Sequence, residues 1–456
     1  MAKKKLKVVS LFSGGMGLDL GLEATGRFEV VACVELDHSA CETIRHNQKL
    51  GRLPTALRVY EGDISGFDPH QIMSDLGLKV GEIDLVVGGP PCQSFSTAGK
   101  RGTVQDVRGT LLWQFLRFVQ EVQPKFFLME NVRGLLSAAL KHRSISTRPE
   151  KGGEPLTFEE LPGSVVEEFV KDLRANTGAA YHMDCFEVNS VNYGAPQIRE
   201  RALFIGNRFN ELIEFPNPTH GCEQVKESRQ MPLFLDDDES GTLLPWSTLR
   251  DAIGGIEEST PEVLDFSPRK KEYLSMVPPG GNWRCLPVDI QKESMKKAWE
   301  AKGGRSGWWR RLSFDFPCPT LVTMPNHAST SLCHPEQVRA LSLREYAAIQ
   351  EFPDTWEFCG TTAEKYRQVG NAVPVRLGRV AGETIAVAYD RLSRRDFIPS
   401  SNAVRPYRVV YVQSHVRTRS WFKDGKAVSG EKADGGAILY SSPKTLRKTS
   451  KVMESR

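Results

Sequence analysis

Ile83-Asp84-Leu85-Val86-Val87-Gly88-Gly89-Pro90-Pro91-Cys92-Gln93-Ser94-Phe95-Ser96 is an apolar run that stops at a glycine-proline turn carrying a single cysteine. An apolar segment of that length, bounded by turn residues, reads as a buried strand. Cys92 then follows the strand's carboxyl end, where open α/β sheets bind their ligands, and a thiol placed there is a candidate nucleophile. A buried, inert small residue is the commonest fate of a free cysteine. The turn position between Pro91 and Gln93 argues for the reactive role instead.

Outward from this stretch, strand candidates at 6–12, 30–36, 125–129 and 202–206 are separated in several places by amphipathic helical patterns. Such alternation predicts an α/β fold, a doubly wound and mostly parallel sheet covered by helices on both faces. From 215 to 335 the periodicity is lost and Pro, Gly, Trp and charged residues dominate, as in 277–283 and 303–311. An irregular stretch of that length is too long for a loop of a compact domain and reads as a smaller, loop-rich domain inserted before the first is complete.

Regular pattern then returns. Ser342-Leu343-Arg344-Glu345 is a capping box, with Tyr346, Ile349 and Phe352 at helical spacing before Pro353 stops the helix. Gly370-Asn371-Ala372-Val373-Pro374 leads into an apolar helix at 375–389, with Pro374 near its first turn. The expected division is a catalytic domain at 1–214, an insertion at 215–335, a return to the catalytic domain at 336–397 and a basic segment at 398–456. That last segment reads as a solvated tail in which 407–412 is a strand candidate.

A net charge of +4 over 456 residues is compatible with a polyanionic partner but too mild to require one. The nine cysteines form no Cys-x-x-Cys pair and no metal-ligand spacing with histidine. That pattern argues for reduced thiols in the cytoplasm, without a disulfide frame or a structural metal. No signal-peptide core follows the basic residues 3–5, and no stretch is apolar and long enough to span a membrane.

The strand at 6–12 runs into Ser13-Gly14-Gly15-Met16-Gly17 and then a helical pattern. Glycines in such a turn let the backbone approach a ligand closely. A dinucleotide fingerprint from Gly15 would need a third glycine at Leu20, so a nicotinamide dinucleotide loses ground. Glu35, at the end of the next strand, is placed to take both hydroxyls of a ribose. Asp63, on the turn Glu61-Gly62-Asp63-Ile64, could accept from an adenine amino group. Either acid alone is more often a solvated loop residue; in series with the glycine turn the balance reverses.

Six segments in order now carry a resemblance: Phe12-Ser13-Gly14-Gly15-Met16-Gly17, Pro90-Pro91-Cys92-Gln93, Glu130-Asn131-Val132, Gln197-Ile198-Arg199-Glu200-Arg201, the helical region at 344–356, and Gly370-Asn371-Ala372-Val373-Pro374. Together they resemble the DNA (cytosine-5) methyltransferases over roughly 6–206 and 335–390. The resemblance implies S-adenosyl-L-methionine as cofactor, double-stranded DNA as substrate, and methyl transfer to C5 of a cytosine flipped out of its duplex. It implies that Phe12, Gly14 and Gly17 line the cofactor pocket, with Glu35 on the ribose and Asp63 and Ile64 at the adenine. Pro90 and Leu111 would flank the methionine side, and Asn371 and Val373 would close the pocket. Two departures are Met16, where the family often has glycine, and Leu36, where some members place an aromatic against the adenine.

For the chemistry, the resemblance implies a Cys92 thiolate adding to C6, with Glu130 on N3 and the amino group. Arg199 would reach O2, and Arg201 would brace the pocket. Glycines and cations through 94–110 suit a loop that closes over the flipped base. Gln93, Ser96, Lys100, Arg101, Arg108, Gln197 and, in the insertion, Thr320 are the candidate DNA contacts. Arg305, Arg310 and Arg311 beside Trp308 and Trp309 could contact phosphates or guanine edges, or be solvated cations around a packed tryptophan pair. The chain is expected to act as a monomer, as the modification enzyme of a restriction-modification system with an endonuclease that acts separately. The rivals are a tRNA cytosine methyltransferase of the same superfamily and a silent nucleic-acid-binding relative; a nicotinamide oxidoreductase is a third, disfavoured one.

Overall fold

The computed structural model describes residues 4–91, 110–177, 179–222, 243–301, 305–392 and 405–412. Cys92, Gln93, Ser96, Lys100, Arg101 and Arg108 lie outside the described residues, as does most of the basic segment.

Eight strands form one sheet. β1 (Leu6–Leu11), β2 (Phe28–Glu35), β3 (Arg58–Glu61), β4 (Leu85–Gly88), β5 (Phe126–Asn131), β6 (His182–Asn189), β7 (Glu200–Asn207) and β10 (Arg408–Tyr411) lie in the order β10-β6-β7-β5-β4-β1-β2-β3. All pairings are parallel except the two made by β7, which runs against its neighbours β5 and β6. The chain winds from β1 outward through β2 and β3, then restarts at β4 on the other side of β1. That reversal leaves a crevice beyond the carboxyl ends of β1 and β4.

The central strands are apolar on both faces because both faces are covered, and alternate residues sort into two cores. Val8, Val30, Val87, Leu128 and Ile205 face one core with Leu22 of α1 (Gly17–Glu23) and Leu377 and Ile385 of α11 (Val375–Leu392). Val9, Val34, Val86, Phe127 and Phe204 face the other, with Ile72 of α3 (Pro69–Asp75), Phe115 of α4 (Leu111–Val122) and Phe169 of α5 (Ser164–Asn176). α2 (His38–Lys49) follows β2 and contributes Ile44 to the first core.

Two strands escape a search for apolar runs. β3 is short and half exposed. β6 is wholly buried yet carries His182, Asp184, Glu187 and Asn189. Burial alone would push the Asp184 carboxyl up. Hydrogen bonds from Arg408 (2.7 and 2.8 Å) and one shared with His182 (2.8 Å) outweigh it and hold the carboxyl below its ordinary range. Arg408 sits on β10, so this buried pair fastens the edge strand to the sheet. The strand candidate in the basic segment is therefore part of the catalytic sheet, and the tail expected from residue 398 is corrected at 405–412.

Within 215–335 the described elements are small: a two-residue parallel pair, β8 (His220–Gly221) with β9 (Leu244–Pro245), and the helices α6 (Leu249–Ile253), α7 (Pro268–Ser275) and α8 (Val288–Met295). Phe266, Tyr273, Leu274, Trp283 and Trp309 build a separate small core there, whereas Leu249, Leu312, Cys318 and Leu321 belong to the first core of the sheet. The insertion is thus rooted in the main core and carries its own cluster beyond it. The capping box at Ser342 and Glu345 opens α9 (Leu343–Ile349), and α10 (Thr362–Asn371) precedes α11.

Candidate active site

A cavity of about 700 Å³ lies over the reversal point. Every residue expected to touch the cofactor lines it, from Phe12 to Val373, and so do Glu130, Arg199 and Arg201. β1, β2 and β4 deliver their segments at carboxyl ends. β7 delivers Arg201 from its amino end, and its reversed direction brings that end to the same edge.

The glycine turn is shaped by strained backbone. Phe12 and Met16 have positive φ (57° and 66°), a conformation costing non-glycine residues about 1 kcal/mol or more. Met16 keeps the left-handed turn that a glycine would adopt freely, and its fully buried side chain packs in the first core. Gly17 is required for a different reason: a Cβ there would lie 2.3 Å from the Val373 carbonyl oxygen. It lets α1 approach the segment that leads into α11.

Glu35 accepts from the backbone N–H of Gly14 (2.8 Å) through one oxygen and of Asp37 (2.8 Å) through the other. Burial raises its pKa and the two N–H groups oppose that rise. The carboxyl is fixed in direction with lone pairs to spare for a pair of hydroxyls. Leu36 is 66% exposed at the cavity wall, an apolar surface for a flat ring. Asp63 accepts from the Ser65 N–H and hydroxyl through one oxygen, which holds its carboxyl below the ordinary range. Asp37 caps α2 and pairs with Arg367 (2.6 Å), and Gln368 is hydrogen-bonded to Thr43 (2.7 Å). Arg367 and Gln368 line the cavity, yet the sequence reading passed over them because they lie in α10 just before the Gly370-Asn371 landmark and belong to no motif of their own.

At the other end, Asn131 donates to the Pro90 carbonyl (3.0 Å), locking the Gly-Pro-Pro turn to the end of β5. A Cβ on Gly89 would lie 3.0 Å from a Glu130 carboxyl oxygen, so the turn that leads to Cys92 passes directly beside that acid. Glu130 is ion-paired with Arg201, both about nine-tenths buried. Asn131 had no role in the sequence reading, although it stands next to Glu130 in the same motif.

The two arginines do not share a job. Arg199 is buried, and its guanidinium donates to the carbonyls of Leu321 (3.1 Å) and Gly370 (2.9 Å). Burial and the nearby Arg201 charge pull its pKa well down, and carbonyl dipoles surround the charge. Gln197 is fully buried, donating to the Gln350 side chain (2.9 Å) and accepting from the Leu321 N–H (2.9 Å). The expected DNA contact at Gln197 is corrected: the side chain is an internal strut between β7, α9 and the Thr320-Leu321 element. The expected reach of Arg199 toward a base is corrected likewise, because its two terminal nitrogens already serve main-chain carbonyls and only Nε is left without a partner.

In the insertion, Thr320 is exposed and its hydroxyl donates to the Ile198 carbonyl (2.8 Å). Arg311 donates to the carbonyls of Pro335 (2.9 Å), Val277 (3.2 Å) and Glu336 (2.9 Å), and Arg310 to that of Ser331 (3.2 Å). Both hold the insertion's loops together. Arg305 lies over the Trp283 ring at 4.9 Å. Of the tryptophan pair, Trp309 is the buried member.

A doubly wound sheet with a glycine turn, an acid held by two backbone N–H groups and a second acid beside the turn that precedes Cys92 defines an α/β protein with its site beyond the strands' carboxyl ends. The family model for C-5 cytosine-specific DNA methylase matches residues 6–386. The Escherichia coli Type II methyltransferase M.Eco47II is 36% identical over 398 residues, 85% of this chain and 80% of that one. The Staphylococcus aureus Type II methyltransferase M.Sau96I is 36% identical over 383 residues, 84% and 76% of the two chains. Among solved structures, a proposed DNA modification methyltransferase of an Escherichia coli prophage superposes with a TM-score of 0.52 at 25% identity, covering 86% of this chain and all of that one. The chain belongs to the C-5 cytosine-specific DNA methylase family. It is a DNA (cytosine-5) methyltransferase, and enzymes of this family and fold draw the methyl group from S-adenosylmethionine.

Proposed function

We propose that this enzyme methylates a flipped-out cytosine within a specific double-stranded sequence through a covalent bond between Cys92 and C6, as the modification enzyme of a type II restriction-modification system. It would work in the cytoplasm as a monomer, apart from its endonuclease. What carries the reading is the meeting of three segments: the Gly89–Pro91 turn, Asn131 bonded to it, and the Glu130–Arg201 pair beside it.

The cavity suits S-adenosylmethionine. Its volume and the fixed Glu35 carboxyl fit a nucleoside, and the exposed Leu36 supplies a face for adenine. When bound, that cofactor supplies an electrophilic methyl group on a sulfonium. The residues do the rest. The Cys92 thiolate adds to C6, which makes C5 nucleophilic. Glu130 hydrogen-bonds N3 and the amino group, so charge has a partner as the thiolate adds. Arg201, not Arg199, is the arginine for O2, because its guanidinium already stands at Glu130 while Arg199 supports the floor. After C5 takes the methyl, a water molecule takes the C5 proton, the C5–H electrons re-form the C5–C6 double bond, and the C6–S bond breaks to release the thiolate.

Bisulfite sequencing of DNA from a host expressing the chain is the direct test. Protected cytosines confined to one sequence context are expected, and their loss with Glu130→Gln by about 10²-fold or more in rate. Unchanged DNA, or label confined to tRNA, overturns the reading.

A further inference from the structure

Five carboxylates line the cavity among the described residues: Asp19, Glu35, Asp37, Asp63 and Glu130. Four have partners that account for them. Glu35 is held by two N–H groups toward a ribose, Asp37 is paired with Arg367, Asp63 is turned by Ser65 at the adenine end, and Glu130 is paired with Arg201.

Asp19 is different. It lies in the first turn of α1, 2% exposed, and its Oδ1 is buried with no hydrogen-bond partner. Ser10 supplies the one side-chain hydrogen bond to the carboxyl. Ser10 lies in β1, in register with Cys33 of β2 and Val87 of β4, so the acid it bonds sits against the central strand on the cavity wall. A buried acid without a counter-charge, on the wall of a binding cavity, costs stability unless a ligand answers it.

We propose that Asp19 is the anion that receives the α-ammonium group of the cofactor's amino-acid tail and so selects for an amino-acid end over a plain thioether nucleoside. The inference rests on the cavity being the S-adenosylmethionine site. With adenine at Leu36 and Asp63 and ribose at Glu35, and with Asp37 and Glu130 already paired with arginines, Asp19 is the lining acid left for the tail. Burial pushes the Asp19 carboxyl up to about 7; Ser10 opposes the rise and Glu23 adds to it. An ammonium against it favours the ionised form, so binding near pH 6 releases a proton to solvent. The other titratable groups that interact with it are Glu23 on α1 and Cys33 on β2.

The test uses the full-length protein, calorimetry, S-adenosylhomocysteine, and the analogue in which hydrogen replaces the α-amino group. The wild type should prefer the natural compound by on the order of 10- to 100-fold. Asp19→Asn should bind the two within about threefold of each other, with affinity for the deaminated analogue kept. In buffers of different ionisation enthalpy at pH 6, the wild type should release a proton on binding the amino compound and not on binding the analogue. An Asp19→Asn variant that keeps the preference, or loses affinity equally for both compounds, overturns the proposal, as does wild-type binding without proton release. Wild-type protein that binds neither compound overturns the cofactor reading itself.

Discussion

The sheet edge and the insertion hold their shape by different means. At the edge, strands covered on both faces project short segments whose side chains face the cavity, and the backbone beneath them is fixed by two apolar cores. In the insertion, cations and amides hold loops: Arg311 alone ties three carbonyls, and Trp309 donates to Ser294 (2.9 Å) from a small cluster. Charged residues at the edge are therefore candidates for chemistry, whereas many charged residues of the insertion are structural. Arg199 and Gln197 show that the distinction crosses the boundary. Both belong to a catalytic motif, and both work as the insertion's cations do, bridging to Leu321.

The largest effect belongs to the thiol. Cys92→Ala should abolish methyl transfer, by at least about 10³-fold, while S-adenosylhomocysteine binding stays within a few-fold. Parallel loss of both in calorimetry would make the residue structural and collapse the contrast.

The arginine pair sharpens it. Arg201→Met should lower kcat by on the order of 10²-fold with little change in melting temperature, by analogy with losing one charge-stabilising donor. Arg199→Met leaves the Leu321 and Gly370 carbonyls without their donor, at a cost of about 3 kcal/mol, and should lower the melting temperature by several degrees. If Arg199→Met were as stable as wild type but inactive, the two roles would have to be exchanged.

Trp309→Ala removes a buried ring from the insertion's cluster, a loss of about 3 kcal/mol or more. DNA binding should weaken by about tenfold or more while S-adenosylhomocysteine binding is kept, because that cluster is separate from the two cores of the sheet. Equal loss of both ligands would show that the regions are not separable.

The last effect is a pH slope. The folded Asp19 holds its proton to about 7, against 3.8 for a free group, so unfolding releases a proton between those values. Stability from this group therefore falls as pH rises from about 4 and levels off above about 7. In thermal melts of unliganded protein, Asp19→Asn should gain more at pH 8 than at pH 5, and a gain independent of pH would remove the buried charge from the account.

Much of the edge was legible because buried strands and glycine turns leave local marks. The runs at 6–12 and 83–88 became β1 and β4, and the capping box at Ser342 formed as written. β6 was illegible because its polar residues are buried against partners from far along the chain, Arg408 above all. Arg199 and Arg201 could not be told apart, since residues two apart on a strand share a side and what separates them is the carbonyls of Leu321 and Gly370. An acid in the first turn of a helix reads as an ordinary complement to the helix dipole, so Asp19 drew no notice.

By itself, then, the chain's order of residues determined the sheet's class, the family and the residue types that line the cavity, because these depend on local periodicity and on motifs a few residues long. Only the tertiary structure decided which arginine stands at Glu130, which glutamine is an internal strut and which acid is left without a counter-charge. Those outcomes depend on groups far apart along the chain being packed together, where each buried charge needs a counterpart that no local pattern encodes.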